Sequence, residues 1–321
     1  MNSMSSPVRV AVVQAEVAPD LARGLEATDK LAAEAARSGA TLVAFPETWL
    51  PGYPAWLDVC RDAGLWDHAP VKAVFRRMAE ESVVVDGESG RELAGIARRH
   101  HLAMVLGVVE RVERGPARGT LFNTLLTYGL DGSLLNHHRK LVPTYTERLV
   151  WGPGDGAGVR AVDVPVGRGS ARVGGLVCWE HWMPLARQAL HESGEDIHVA
   201  AWPTVKEMLQ VASRHYAFEG RCYVLAAGSL MRASALPPEL EADPRLVSST
   251  EQFVLRGGSA IIAPNGSYVR EPVYDAPALL VADLDLGAAR EETMTLDVAG
   301  HYSRPDVFAF EVNASRGRAA R

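Results

Sequence analysis

The stretch GGLVCWEHWMPLAR, residues 174–187, joins a strand-like run to a helix through a cysteine. Small and aliphatic residues end at Cys178, and Pro184 suits the first turn of a helix, where its missing N–H needs no partner. We therefore predict a strand, a corner at Cys178 and a helix over 184–193. A lone cysteine is more often structural, but at such a corner a nearby cation would lower its thiol pKa and favour the nucleophilic thiolate.

The N-terminal part of the chain has a β-α-β pattern. A valine-rich run at 8–17 predicts a strand, leucines and alanines at helical spacing over 20–37 predict a helix that Gly39 ends, and 41–47 predicts a second strand. This order is typical of strands covered by helices. Further strands are expected at 102–112, 121–130, 171–178, 196–201, 223–229, 259–263 and 279–285. Further helices are expected at 71–81, 89–100, 206–219 and 287–295, and Asp131-Gly132 marks a hairpin.

Composition excludes several classes of protein. The chain has 321 residues, 47% of them hydrophobic, so it can bury a large core. Its net charge of −6 does not favour nucleic acid or an anionic membrane as a partner. The N-terminus lacks the apolar segment of a secretory signal, and no apolar run reaches the roughly 18 residues of a membrane helix. We predict one domain over 1–312 and a disordered, basic tail over 313–321.

The cysteines indicate a reducing compartment. The chain has only three, Cys60, Cys178 and Cys222, and none is in a CxxC pair. This odd, sparse set argues against a disulfide framework or a structural zinc site and predicts a cytoplasmic protein. Cys222 lies in an apolar strand pattern and is interpreted as structural, whereas Cys60 lies in the aromatic, turn-rich segment 51–70 and is interpreted as a bystander.

Three further residues are candidates for chemistry. Glu47 follows an apolar strand and a proline, in a place where loops present functional groups. Lys140 lies between a strand and a loop full of turn residues, and Glu147 follows seven residues later. Each of these signals is weak alone, because glutamates and lysines usually lie on solvated surfaces.

The segments around these residues carry a family resemblance when they are taken together. The main segments are FPETWLPGYPAW at 45–56, HHRKLVPTYTERLVWGPGDG at 137–156 and GGLVCWEHWMPLAR at 174–187. EDIHVAAWPT, ASRHYAFEGRCYVLAAG, GGSAIIAPNGS and HYSRPDVF add to them, in order along nearly the whole chain. On these segments the chain resembles the nitrilase superfamily of carbon–nitrogen hydrolases, and within it the nitrilase branch.

The resemblance implies a fold and a mechanism. The implied α/β fold is an αββα sandwich of two mixed β-sheets flanked by helices. The implied catalytic triad is Glu47 as base, Lys140 as stabiliser of negative charge and Cys178 as nucleophile, with Glu147 assisting. Such a site would convert a small nitrile and two waters to a carboxylic acid and ammonia through a covalent thioimidate and thioester, without a metal or organic cofactor. The backbone N–H of Trp179 is a candidate second donor to the developing charge.

The surrounding aromatic residues have two interpretations each. Tyr53, Trp56, Trp182 and Trp202 form either the walls of a substrate pocket or part of the core. His181 either lines the pocket and influences the choice of product or supports other residues from behind. Many nitrilases carry asparagine at that position, so the CWEH sequence is a modest departure.

The same sequence is compatible with three alternative functions. The alternatives are an amidase with the same triad, a cyanide-degrading enzyme, and a non-catalytic binding module, which the intact triad disfavours.

A homo-oligomer is also predicted, because the helix at 206–219 is apolar around more of its circumference than one core-facing stripe needs. The resemblance implies pairing of this helix and the helix at 184–193. The alternative is that the extra apolar face packs under 230–250 within one subunit.

Overall fold

The computed structural model describes residues 7–167 and 169–315. Its strands are β1 Val8–Gln14, β2 Leu42–Ala44, β3 Ala103–Arg111, β4 Leu121–Tyr128, β5 Leu134–Arg139, β6 Val162–Val166, β7 Gly169–Val177, β8 Ile197–Trp202, β9 Tyr223–Gly228, β10 Leu230–Arg232, β11 Phe253–Ile262, β12 Tyr268–Tyr274 and β13 Ala278–Leu284. Its helices are α1 Leu21–Arg37, α2 Trp56–Val59, α3 Ala69–Glu80, α4 Glu88–His100, α5 Pro184–Glu192, α6 Glu207–Gly220 and α7 Leu286–Glu292.

The strands form two mixed sheets. The first has the order β13-β1-β2-β3-β4-β5, and its β1–β2 and β2–β3 pairs are parallel. The second has the order β10-β11-β9-β8-β7-β6, with β12 also paired to β11, and its β7–β8 and β8–β9 pairs are parallel. The central strands of both sheets are parallel and the outer ones antiparallel.

Strand β1 shows why the sheets are stacked. Val10 and Val12 belong to the apolar cluster shared with the second sheet, whereas Ala11 and Val13 belong to a cluster with residues of α1 and α4. Successive side chains of a strand point to opposite faces, so both faces of β1 are buried and its sequence is apolar almost throughout. Helices α5 and α6 add apolar residues to the second sheet. The layers are helix, sheet, sheet and helix, which confirms the expected αββα sandwich.

Element positions follow the sequence prediction closely at the helices and less closely at the strand ends. Helix α1 begins at Leu21 and ends before Gly39, which has φ +83°. The strand expected at 41–47 is shorter, Leu42–Ala44, and Thr48 in the loop that follows has a positive φ of 43°. The sequence did not predict β6, β10 or β12. The segment 51–70 contains the one-turn helix α2 and packs in a separate apolar cluster.

The C-terminal tail lies partly outside the described residues. Residues 313–315 are exposed and have no helix or strand, and residues 316–321 are not described, so the expected disorder of the tail is untested there. Within 7–167 and 169–315, no helix is both long and apolar enough to cross a bilayer.

Gly107 of β3 lies directly against the loop that carries Glu47. A Cβ atom at Gly107 would lie 2.4 Å from the Thr48 nitrogen and 2.5 Å from the Pro46 oxygen. These are backbone atoms, which cannot move aside as a side chain can. We expect Gly107→Ala to destabilise the protein by about 1–3 kcal/mol, measured as a fall in unfolding free energy in denaturant.

Gly95→Ala is the matched control for this prediction. Gly95 lies inside α4, and a Cβ there would meet no atom within 4 Å. Because alanine favours a helix over glycine by about 1 kcal/mol, this substitution should be neutral or stabilising. Equal stability of the two variants would contradict close packing of the Glu47 loop on β3.

Candidate active site

The first sheet brings three polar residues to one edge. Glu47 follows β2 and Lys140 follows β5, and these strands run in the same direction because the β3–β4 and β4–β5 pairs are both antiparallel. Strand β4 runs the opposite way and starts at this edge, where it carries Asn123. The Oε1 atom of Glu47 accepts hydrogen bonds from Asn123 Nδ2 at 2.6 Å and from Lys140 Nζ at 3.1 Å.

Cys178 reaches the same place from the second sheet. It follows β7 and begins a 3₁₀ turn, Cys178–Trp182. Its φ of +54° is in the left-handed region, which non-glycine residues adopt rarely and often at functional sites. Its sulfur, one oxygen of Glu47 and one oxygen of Glu147 lie within 4.8 Å of one another. The structure therefore brings together all four candidates for chemistry.

The two oxygens of Glu47 have different surroundings. Oε1 accepts two hydrogen bonds, whereas Oε2 is buried and accepts none from the described residues. Burial raises the pKa of Glu47 to about 7, and the charge of Lys140 and the hydrogen bond from Asn123 limit the rise. Glu47 can thus exchange a proton near neutral pH through one bare oxygen.

Glu147 holds Lys140 in position. Its Oε2 atom accepts from Lys140 Nζ and from the Thr144 backbone nitrogen, each at 2.7 Å, and its Oε1 atom accepts from Tyr53 Oη at 3.0 Å. Burial disfavours the ammonium group of Lys140. Its neighbours Cys178, Glu47 and Glu147, each negative when ionised, outweigh burial and raise the Lys140 pKa. Lys140 is therefore a fixed buried cation.

The Cys178 thiol differs from the expectation for a cysteine at such a corner. Burial raises its pKa well above the ordinary value, and the carboxylate of Glu47 raises it further. Lys140 and the backbone N–H of Trp179 both act to lower the Cys178 pKa, without overcoming these effects. The cation is present as expected, but the resting form is the neutral thiol, so a base is required for attack.

The donor set suits an ammonium group better than a metal ion. Glu47, Glu147 and Cys178 each offer one ligand atom within a 4.8 Å cluster. However, Lys140 Nζ is bonded to both carboxylates, so a metal cation in the cluster would have to displace or repel a buried positive charge.

Glu180 connects the cysteine corner to the segment of Lys140. Its carboxylate accepts from the Val177 nitrogen at 2.7 Å, from the Leu141 nitrogen at 2.8 Å and from His138 Nε2 at 2.9 Å. Burial opposes ionisation of Glu180, but His138 and the two backbone N–H groups lower its pKa below the ordinary value. Glu180 therefore fixes the distance between Cys178 and Lys140.

His181 and Trp202 lie behind Cys178. His181 Nδ1 bonds the Cys178 carbonyl oxygen at 2.7 Å, and its ring stacks on Trp202 with centroids 4.6 Å apart. Trp202 is fully buried, and its Nε1 donates to Ser213 of α6 at 3.1 Å. These contacts favour the supporting interpretation for His181 and the core interpretation for Trp202.

The other aromatic residues are divided between site, core and surface. Tyr53 is buried and touches the site through Glu147, and Trp56 is buried in the apolar cluster of segment 51–70. The side chain of Trp179 is 56% exposed, so only its backbone lies at the sulfur. Trp182 is also exposed.

Asn123 is a site residue that the sequence analysis missed. It lies in LFNTLLTY, an otherwise strand-forming run, and asparagine is depleted in strands. A buried amide inside an apolar strand needs polar partners, so its position was a usable signal. Its backbone oxygen also accepts from the Lys140 nitrogen at 2.8 Å, so it positions both Glu47 and Lys140.

We expect Asn123→Ala to shift the pH dependence of Cys178 reactivity. The Asn123 amide stabilises ionised Glu47, so its loss raises the Glu47 pKa further. Glu47 can accept the thiol proton only when ionised, so alkylation of Cys178 should fall as pH decreases through about 7, and the midpoint should move to higher pH in the variant. Iodoacetamide labelling at pH values from roughly 5 to 9, followed by mass spectrometry, measures this midpoint.

Thr124→Val is the control for this prediction. Thr124 is the next residue of β4 and is also buried, but its hydroxyl donates to Glu110, not to Glu47. Its labelling profile should match that of the native chain. An unshifted midpoint in Asn123→Ala would remove Asn123 from the control of Glu47.

Comparisons with known proteins identify the family of the chain. A family model described as carbon-nitrogen hydrolase matches residues 9–292. A bifunctional nitrilase/nitrile hydratase of Lupinus angustifolius is 37% identical over 312 residues, covering 95% of this chain and 86% of that protein. A nitrilase of Paraburkholderia phymatum is 36% identical over 319 residues, covering 95% of this chain and 86% of that protein.

A solved structure supports the fold. The crystal structure of a carbon-nitrogen hydrolase from Helicobacter pylori aligns with a TM-score of 0.71 at 17% identity, covering 95% of this chain and 98% of that one. At this identity the likeness concerns the fold alone. The family match, the two relatives and the shared fold span nearly the whole described chain, and on that basis the protein belongs to the carbon–nitrogen hydrolase family.

Proposed function

We propose that the protein is a nitrilase that hydrolyses a small organic nitrile to a carboxylic acid and ammonia. The observation that carries the proposal is the bare Oε2 atom of Glu47, in a cluster with the Cys178 sulfur and beside the Lys140 ammonium. A base, a thiol and a fixed cation are what addition to a C≡N bond requires. Relatives named as nitrilases, at 34–37% identity, support the nitrile as substrate.

The first step forms a covalent thioimidate. Glu47 takes the thiol proton as the Cys178 sulfur bonds to the nitrile carbon, and one π bond of the nitrile becomes a lone pair on nitrogen. The Lys140 ammonium and the backbone N–H of Trp179 stabilise this charge, and one such donor is typically worth about 3 kcal/mol. The proton held by Glu47 then passes to the nitrogen.

The next steps consume two waters. Glu47 accepts a proton from the first water, which adds to the thioimidate carbon, and the protonated nitrogen leaves as ammonia to give a thioester. The second water attacks the thioester in the same way, and the acid leaves as the Cys178 thiol regains its proton. Glu147 contributes by holding Lys140 and Tyr53 throughout.

The amide is the second product that this reaction can release. If the tetrahedral intermediate expels the thiol before ammonia, an amide is released after one water. The names of several relatives include nitrile hydratase as well as nitrilase, which favours a minor amide fraction. We propose acid as the main product, because protonated Glu47 can supply a proton to the departing nitrogen.

We expect nitriles to yield mainly acid and ammonia. A panel of aliphatic, aromatic and arylacetonitriles, with the matching amides and cyanide, is assayed by ammonia release and by mass spectrometry of the products. Cys178→Ala should abolish turnover, because no other thiol reaches Glu47. Activity on amides alone or on cyanide alone would replace the nitrilase proposal with the corresponding alternative.

The other two cysteines provide the controls. Cys60 and Cys222 are also buried free thiols, and burial raises the pKa of each. Neither is among the hydrogen-bond partners of Glu47 and Lys140 that the described residues supply, so Cys60→Ala and Cys222→Ala should keep most of the turnover. Loss of turnover in Cys222→Ala with a folded protein would contradict the assignment of the nucleophile.

We further propose that residues 1–312 fold as one domain in the cytoplasm. The pairing of β1 with β13 supports the single domain, because it joins the first and the last strand of the described residues in one sheet. The three unpaired cysteines support a reducing compartment.

We also propose a homo-oligomer that pairs α5 and α6 of two subunits. Met208, Val211 and Phe218 of α6 and Leu185 of α5 are exposed, with Met208 at 60% and Leu185 at 69%. Such an apolar surface on adjacent helices is typical of a protein interface. The alternative, in which the extra face of α6 packs under 230–250 within one subunit, does not account for these exposed side chains.

We expect Met208→Glu to produce monomers. A carboxylate at this place would have to be buried against an apolar partner, which costs several kcal/mol unless it is paired. Light scattering on a sizing column measures the mass. Leu246→Glu is the control, since Leu246 is also exposed but lies in a turn with Asp243, which is hydrogen-bonded to Val59 of α2. A native chain that is monomeric and fully active would end this proposal.

A further inference from the structure

A buried chain of four polar side chains starts behind Cys178. His181 Nδ1 bonds the Cys178 carbonyl oxygen at 2.7 Å, and His181 Nε2 lies 3.0 Å from His198 Nε2. His198 Nδ1 lies 2.7 Å from Glu195 Oε1, and Glu195 Oε2 accepts from Tyr216 Oη at 2.5 Å. The side chains come from the turn after Cys178, from β8 and the residue pair before it, and from α6.

The position of each proton follows from the hydrogen bond at the Cys178 end of this series of side chains. A carbonyl oxygen only accepts, so His181 Nδ1 carries a hydrogen. Burial lowers the pKa of His181 to about 3, so the ring is neutral and its Nε2 atom is an acceptor. His198 must therefore donate from Nε2. If His198 is neutral as well, its Nδ1 atom is an acceptor, and Glu195 has to donate to it.

One proton is thus shared between Glu195 and His198. Burial raises the pKa of Glu195 to about 7 and lowers that of His198 well below its ordinary value, so both groups favour the uncharged pair. Tyr216 donates to the other oxygen of Glu195, which leaves the carboxyl proton for His198. In this state every hydrogen bond from Tyr216 to the Cys178 carbonyl has one donor and one acceptor.

The hydrogen bond between His181 and the Cys178 carbonyl controls the orientation of the peptide group that faces the sulfur. The Cys178 carbonyl and the Trp179 N–H belong to the same peptide and point in opposite directions when it is trans. Fixing the carbonyl toward His181 therefore directs the Trp179 N–H to the opposite side, where it favours the ionised sulfur and acts to lower the Cys178 pKa. A hydrogen bond to the carbonyl also polarises the peptide and strengthens its N–H as a donor.

We propose that His181, His198, Glu195 and Tyr216 act as positioning residues that aim the Trp179 N–H at Cys178. They touch neither substrate nor the sulfur and act through the Cys178–Trp179 peptide. The turnover assay of this inference rests on the proposed nitrilase function. A second assay, labelling of Cys178, does not.

A double-substitution cycle tests the chain of contacts. In His181→Asn, the shorter amide can still donate to the Cys178 carbonyl but cannot reach His198. In Glu195→Leu, a side chain of similar size replaces the donor to His198. Glu195→Gln restores a donor for His198 and an acceptor for Tyr216. The double variant combines His181→Asn with Glu195→Leu.

Glu195→Leu should lower kcat about ten-fold in the native chain, with KM little changed. In the His181→Asn background, the same substitution should change kcat less than about two-fold, because the contact through which it acts is gone. Glu195→Gln should stay within about two-fold of the native kcat. An equal loss from Glu195→Leu in both backgrounds, or an equal loss from Glu195→Gln and Glu195→Leu, would overturn the proposal.

Labelling separates this inference from the proposed function. The rate at which iodoacetamide modifies Cys178, read by mass spectrometry, should follow the same pattern in all four variants, even if no nitrile is turned over. If nitriles fail but the labelling pattern appears, the positioning role stands and the nitrilase proposal falls. If Glu195→Leu leaves the labelling rate unchanged, the positioning role falls.

Tyr216→Phe serves if Glu195→Leu does not fold. It removes only the hydroxyl that donates to Glu195, and it should lower the labelling rate about three-fold in the native chain and not in the His181→Asn background. Tyr128→Phe is its control, since Tyr128 is a buried tyrosine of β4 whose hydroxyl donates to the Gly90 carbonyl. Equal effects of Tyr216→Phe in both backgrounds would also overturn the proposal.

Discussion

The carboxylate of Glu180 is the interaction on which the geometry of the site depends. It belongs to the turn after β7 of the second sheet, yet it accepts from the Leu141 nitrogen at the end of β5 in the first sheet. It also accepts from Val177, just before Cys178. A buried carboxylate is unfavourable unless its oxygens are bonded, and here three donors, including His138, satisfy it. Loss of Glu180 would leave the N–H groups of Val177 and Leu141 without this acceptor and remove the link between the segments that carry Cys178 and Lys140.

Charge explains why the thiol stays protonated in the resting site. With Glu47 and Glu147 ionised and Lys140 protonated, the cluster carries one net negative charge, and a thiolate would add a second in a buried place. The same balance raises the Glu47 pKa toward neutrality. The Cys178 thiol is therefore a weak acid, and little free energy favours transfer of its proton to Glu47 in the resting site. The proton moves when a substrate accepts electrons from sulfur. Deprotonation and attack are coupled by burial.

The sequence predicted those features that depend on local pattern. Most strands and helices were predicted because the apolar pattern follows the layers, as β1 shows with Val10 and Val12 on one face and Ala11 and Val13 on the other. The four candidates for chemistry were found through the segments around them. Asn123 was missed because its signal is a single polar residue whose partners come from distant segments. The contacts of Glu180 with Leu141 and of Tyr216 with Glu195 join residues 39 and 21 positions apart, which no local pattern can connect.

The distance between the two sheets accounts for the residue types at the site. Packed sheets lie about 10 Å apart, and a cysteine side chain is short. Cys178 is brought forward by a left-handed backbone conformation at the end of β7. The remaining gap is spanned from the first sheet by long side chains, Lys140 and Glu47, and Glu147 closes the cluster from the loop after β5. Because long side chains are mobile unless held, each is bonded at its tip to a neighbour, and the one tip atom left bare, Glu47 Oε2, is the one that the chemistry requires.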